Sequence, residues 1–79
     1  MRIDKFLKVS RMIKRRTLAN EICDKGRVFV NGKVVKAGYE VHVGDQIEVH
    51  LPAGTRRVVI DRIAENIPAN RASELFHEV

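Results

Sequence analysis

The chain has 79 residues, 44% of them hydrophobic and 32% charged, and a net charge of +5. That length holds one compact domain with a modest core and excludes two, while the share of apolar residues excludes a disordered chain. No apolar run reaches the roughly 20 residues that cross a bilayer, and the lone Cys23 can form no internal disulfide, so a reducing cytoplasm without membrane attachment is expected.

The charge is divided unevenly. Residues 1–36 hold eleven Lys/Arg against three acids, a net +8, whereas residues 37–79 hold four arginines against seven acids, a net −3. Solubility alone is served by mixed signs, so cations gathered into one half point to a polyanionic partner.

In chain order, Ile3, Phe6 and Leu7 fall at helical spacing and predict a short helix over about 2–9. Its other faces carry Arg2, Lys5, Lys8 and Arg11. The nearest role for Asp4 is to pair with Lys8 one turn on or to favour the helix N-terminus. Leu18, Ala19, Ile22 and Cys23 form the apolar stripe of a second helix, roughly 15–25, with Gly26 as its left-handed stop. Glu21 and Asp24 on that helix would repel phosphate, which leaves Lys14, Arg15 and Arg16 at its start as the contacting cluster.

Two β-rich runs, 27–31 and 33–36, flank Asn31-Gly32, the dipeptide suited to the two positive φ angles of a type I′ turn. After a loose stretch and a Gly44-Asp45 turn, residues 46–51 alternate polar and apolar. Pro52-Ala53-Gly54 breaks the chain, and 56–61 resumes an extended pattern that can pair antiparallel with 46–51. Pro68, Ala69, Ala72, Leu75 and Phe76 are compatible with a short C-terminal helix. The fold class is therefore α+β, two helices packed on a small antiparallel sheet. Residues 1–63 are expected to form the RNA-binding domain and 64–79 a C-terminal segment that packs on it or is flexible.

No catalytic constellation or phosphate-cradling glycine loop is visible, so no enzyme activity and no cofactor are expected. His42, His50 and His77 lack metal-ligand spacing, and no metal is expected. Phe6 and Phe29 take core-facing positions in this reading, Tyr39 has no assigned role, and folded RNA is a better target than single strands.

One pattern joins these pieces: Arg2-Ile3-Asp4, Leu7, Arg16, Ala19, Gly26, Val28, Val30-Asn31-Gly32, Val41, Gly44-Asp45, Ile47 and Val49. It resembles the RNA-binding domain named after ribosomal small-subunit protein S4, the alpha-L RNA-binding motif. Many members carry Ser-Arg where this chain has Arg15-Arg16, which leaves the N-cap of the second helix unassigned. The same stretch is similar to the stand-alone RqcP subgroup, related to heat-shock ribosome-recycling proteins that carry a long basic C-terminal extension. The acidic segment ending at Val79 favours the RqcP side.

The resemblance implies a factor of ribosome-associated quality control. Such a factor binds peptidyl-tRNA-obstructed large ribosomal subunits through 23S-type rRNA and tRNA, and assists C-terminal alanine tailing beside the factor RqcH. Arg2, Lys5, Lys8, Arg11, Lys14, Arg15, Arg16 and Lys36 are the expected RNA contacts, and a single copy is the expected state. The rivals are a heat-shock-like large-subunit recycling factor and the accessory domain of an RNA-modifying enzyme.

Overall fold

The structure, a computed structural model describing residues 1–79, runs α1 (Ile3–Val9), α2 (Arg16–Asp24), β1 (Val28–Val30), β2 (Lys33–Val34), β3 (Gln46–Leu51), β4 (Gly54–Ile60), a 3₁₀ helix (Ala69–Leu75) and β5 (Phe76–Glu78). The five strands form one antiparallel sheet in the order β2-β1-β3-β4-β5.

Helix α1 forms because Ile3, Phe6 and Leu7 share one face and are all fully buried. No side chain caps it. The amides of Ile3 and Asp4 instead donate to the carbonyls of Tyr39 (2.7 Å) and Ala37 (3.3 Å), so the loop before β3 closes its N-terminus. Helix α2 ends as its glycine predicts. Gly26 takes φ 74, its amide donates to the Cys23 carbonyl, and the Arg27 amide donates to that of Ile22, both at 3.0 Å. These are the two bonds of a Schellman stop.

Asn31 (φ 52) and Gly32 (φ 84) make the expected left-handed pair, and the register sets Val30 opposite Lys33. The strand expected from Arg56 starts two residues earlier, because Gly54 at φ 136 lets Pro52-Ala53 turn the chain at once and places Gly54 opposite Leu51. Residues 69–75 are 3₁₀ helix rather than α-helix. Ala72 and Leu75 are its buried pair, three apart, which matches three residues per turn. Strand β5, which the sequence reading lacks, pairs Phe76, His77 and Glu78 with Ile60, Val59 and Val58. Three residues are too few to display a period of two.

The core lies between the helices and one sheet face, joining Ile3, Phe6, Leu7, Ala19, Ile22 and Cys23 to Val28, Val30, Ile47, Val49, Val58 and Ile60. Two expectations fail there. Phe29 points away from buried Val28 and Val30, as strand alternation requires, and rests against the His50 ring with centroids 5.0 Å apart. Leu18 is 45% exposed, since the buried arc of α2 holds only Ala19, Ile22 and Cys23.

Candidate RNA-binding interface

The eight candidate residues fall on three neighbouring pieces of chain. Arg2, Lys5 and Lys8 belong to α1 or its N-cap; Arg11, Lys14 and Arg15 lie in the link between the helices; and Arg16 opens α2. Lys36 follows β2, with its side chain exposed. Helices α1 and α2 pack on each other, so the first seven share the helical layer, while Lys36 lies beyond the hairpin.

Pairing divides these cations. Arg2 and Arg16 both engage Asp4, and Lys5 engages Glu65. Lys8, Arg11, Lys14, Arg15 and Lys36 have no acidic partner, and neither do Lys25, Arg27 and Lys33, which the sequence reading does not place in the site. All four arginines of the second half are occupied: Arg56 by Glu78, Arg57 by Glu48, and both Arg62 and Arg71 by Glu74. The uncompensated positive charge is therefore confined to residues 8–36. Lys25, Arg27 and Lys33 are legible in the sequence as cations, but only the fold leaves them unpaired.

Asp4 organises the site and does not pair with Lys8. Its side chain is buried, with Arg2 Nε at 3.3 Å and Arg16 Nη2 at 3.4 Å from Oδ1, and Oδ1 also accepts the Lys5 amide at 2.8 Å. Burial pushes its pKa up, but the hydrogen bond and charge of Arg16, the Asn20 amide and the Arg2 guanidinium outweigh that, and the carboxyl is held below its ordinary range. Arg16 is thus a strut between α1 and α2 as well as a half-exposed cation. The carboxylate it serves sits twelve residues away, beyond the reach of helix-face reasoning.

The start of α2 is open. Arg15 is its N-cap and supplies no side-chain bond, so the amides of Arg16, Thr17 and Leu18 have no protein acceptor and stand beside the Lys14 and Arg15 cations. Free N–H groups at the positive end of a helix next to two unpaired cations suit a phosphate. Glu21 and Asp24, further along α2, are exposed and unpaired, and would repel an anion beyond the first turn.

Arg11 is the one cation with an unusual backbone. At φ 66 it occupies the left-handed region, where its amide donates to the Lys8 carbonyl and ends α1. Arg11→Gly is expected to hold or raise stability, by no more than about 1 kcal/mol, because glycine relieves the strain while giving back some chain entropy. It should still weaken RNA binding. Thermal unfolding and RNA titration of the same sample check both halves, and a clearly less stable variant would contradict the strain.

Cys23 is fully buried, and burial together with the Asp4 and Asp24 charges pushes its thiol up to about 11, which suits a packing residue. The three histidines each sit beside a carboxylate: His50 with Glu48 at 2.5 Å, His77 with Asp61 at 2.8 Å and His42 with Glu40 at 3.5 Å. No three His, Cys, Asp or Glu side chains converge as a metal site would need.

Residues 1–47 match the S4 domain family. The RQC P-site tRNA stabilizing factor of Halalkalibacterium halodurans is 49% identical over 76 residues, covering 96% of this chain and 86% of that protein. Its namesake in Bacillus subtilis is 41% identical over 96% of this chain and 88% of its own length. An RNA pseudouridine synthase of Bacillus subtilis shares 43% identity over 51 residues, only 17% of that enzyme. Among solved structures, the trimeric heat-shock protein 15 of Vibrio cholerae superposes with a TM-score of 0.93 at 30% identity, over 100% of this chain and 81% of that one. A matching motif, a matching fold and relatives matched nearly end to end agree: the chain belongs to the S4-domain family, within its subgroup of RQC P-site tRNA stabilizing factors.

Proposed function

We propose that this protein is an RNA-binding factor of ribosome-associated quality control. It docks on large subunits obstructed by peptidyl-tRNA, contacts 23S-type rRNA and the tRNA, and assists C-terminal alanine tailing beside a factor of the RqcH type. One observation carries the binding half of this reading: every Lys or Arg without an acidic partner lies within residues 8–36, with Lys14 and Arg15 among them at the open first turn of α2. Such a surface recognises phosphates and the shape of folded RNA and needs no base-edge readout. The names of its relatives supply the P-site tRNA as the object held. Arg2, Lys5 and Arg16 join the contact by sharing or exchanging their acids with phosphate. The protein acts as a single copy in the cytoplasm.

The test is co-sedimentation with large subunits carrying peptidyl-tRNA, across a salt series. If about four phosphates are contacted, log K should fall against log salt with a slope near −3, at roughly 0.7–0.9 per phosphate. A slope near zero would remove the electrostatic basis of the reading. The likeness to heat-shock protein 15 favours a second reading, subunit recycling without tailing. Alanine tails that persist unchanged in cells lacking this protein would select it.

A further inference from the structure

We propose a second RNA contact, distinct from the helical surface: a groove at the free edge of β2 that takes a single unpaired nucleobase against Tyr39, with its flanking phosphates on Lys33 and Lys36. The groove is lined by Val30, Lys33, Val34, Val35, Lys36 and Tyr39. Its floor is apolar and open to solvent, with Val34 57% and Tyr39 41% exposed. No acid lines it, and neither lysine pairs with one. An apolar floor, an aromatic wall and two free cations together match one nucleotide, whose base has two faces to stack and whose phosphates carry the charge.

The platform is built in advance. The Tyr39 amide donates to the Lys36 carbonyl at 3.1 Å, and its own carbonyl accepts the Ile3 amide of α1 at 2.7 Å, so no loop has to be ordered on binding. Gly38, the neighbour of Tyr39, lies beside the Arg2 guanidinium, about 3.9 Å from where a Cβ would stand, which sets the groove next to the N-terminus of α1. A peptide adding a strand here is disfavoured, because β2 offers only Lys33 and Val34 as an edge. The inference rests on the RNA-binding reading and adds to it a specificity for an unstacked base.

Tyr39 is the only tyrosine and the chain has no tryptophan, so intrinsic emission reports this groove alone. The experiment titrates the full chain with two end-labelled RNA hairpins, one fully paired and one carrying a single bulged adenosine in its stem. Anisotropy reads affinity, and tyrosine emission, corrected for RNA absorbance, reads stacking. Both hairpins should bind, the bulged one about tenfold tighter, and only it should quench Tyr39. Tyr39→Ala should bring the bulged hairpin down to the affinity of the paired one, and Tyr39→Phe should keep the preference. Equal affinities with no quenching, or a Tyr39→Ala protein that binds both hairpins as the parent does, would overturn the proposal. Equal weakening of both hairpins by Tyr39→Ala would also overturn it. Binding to neither hairpin would remove the RNA-binding reading, and this proposal with it.

Discussion

Arg16→Ala is expected to cost both stability and affinity, through two contacts of one guanidinium. Removing it takes away the Arg16–Asp4 interaction at 3.4 Å and leaves a buried carboxylate with fewer partners, which should lower unfolding free energy by about 2 kcal/mol. The same guanidinium is half exposed at the open end of α2, so losing a charge-assisted phosphate contact should cost a further 1.5–3 kcal/mol of RNA binding, roughly 10- to 150-fold. The pH dependence separates the two effects. Asp4 is held below its ordinary pKa in the folded protein, so its contribution is present above the ordinary carboxylate value and is lost as pH falls through the lowered one. The stability gap between parent and Arg16→Ala should therefore be widest near neutrality and close in acid, where Asp4 is protonated in both. A gap that does not change with pH would mean that Asp4 is not what Arg16 supports.

Binding has its own controls. Lys14→Ala with Arg15→Ala removes two unpaired cations without touching Asp4, and should weaken RNA binding at unchanged stability. Arg71→Ala should change neither binding nor stability appreciably, because Arg71 is exposed and already holds Glu74 through two hydrogen bonds of 3.1 Å. Equal losses for Arg71→Ala and Arg16→Ala would mean that net charge, not a docking surface, drives binding.

The second large effect is expected at the hairpin. Gly32→Val should destabilise the fold by roughly 2 kcal/mol or more, since a β-branched residue resists the φ of 84 held there. A Cβ at Gly32 meets nothing within 4 Å, so the cost lies in the backbone, and Gly32→Ala should show a smaller part of it. Asn31→Ala should match the valine variant for a different reason. The Asn31 side chain donates to Asp45 Oδ1 at 3.1 Å and accepts the Gln46 amide at 3.0 Å, while Asp45 Oδ2 accepts the His42 amide at 2.9 Å. Asn31 thus ties the hairpin turn to the Gly44-Asp45 turn. Denaturant unfolding ranks the three variants, and unchanged midpoints for all would contradict the turn's role in the fold.

The features legible without a structure are those written in neighbouring residues. Helical spacing marks Ile3, Phe6 and Leu7, a dipeptide with two positive φ angles marks the hairpin, Gly26 stops α2, and the division of charge at about residue 36 marks the cation-rich half. Local periodicity and turn chemistry act over a few residues, so they survive reading one segment at a time. The tertiary structure alone decided which cations are free and which side chains share a site. Asp4 meets Arg16 across twelve positions and Lys5 meets Glu65 across sixty, and strand alternation turns Phe29 out of the core that its hydrophobicity suggests. Strand β5 exists because β4 offers it an edge, and Tyr39 becomes a groove wall because its carbonyl caps α1. Each of these outcomes depends on which distant groups folding brings within a few ångströms, because hydrogen bonds and buried charge pairs act over distance in space and not along the chain.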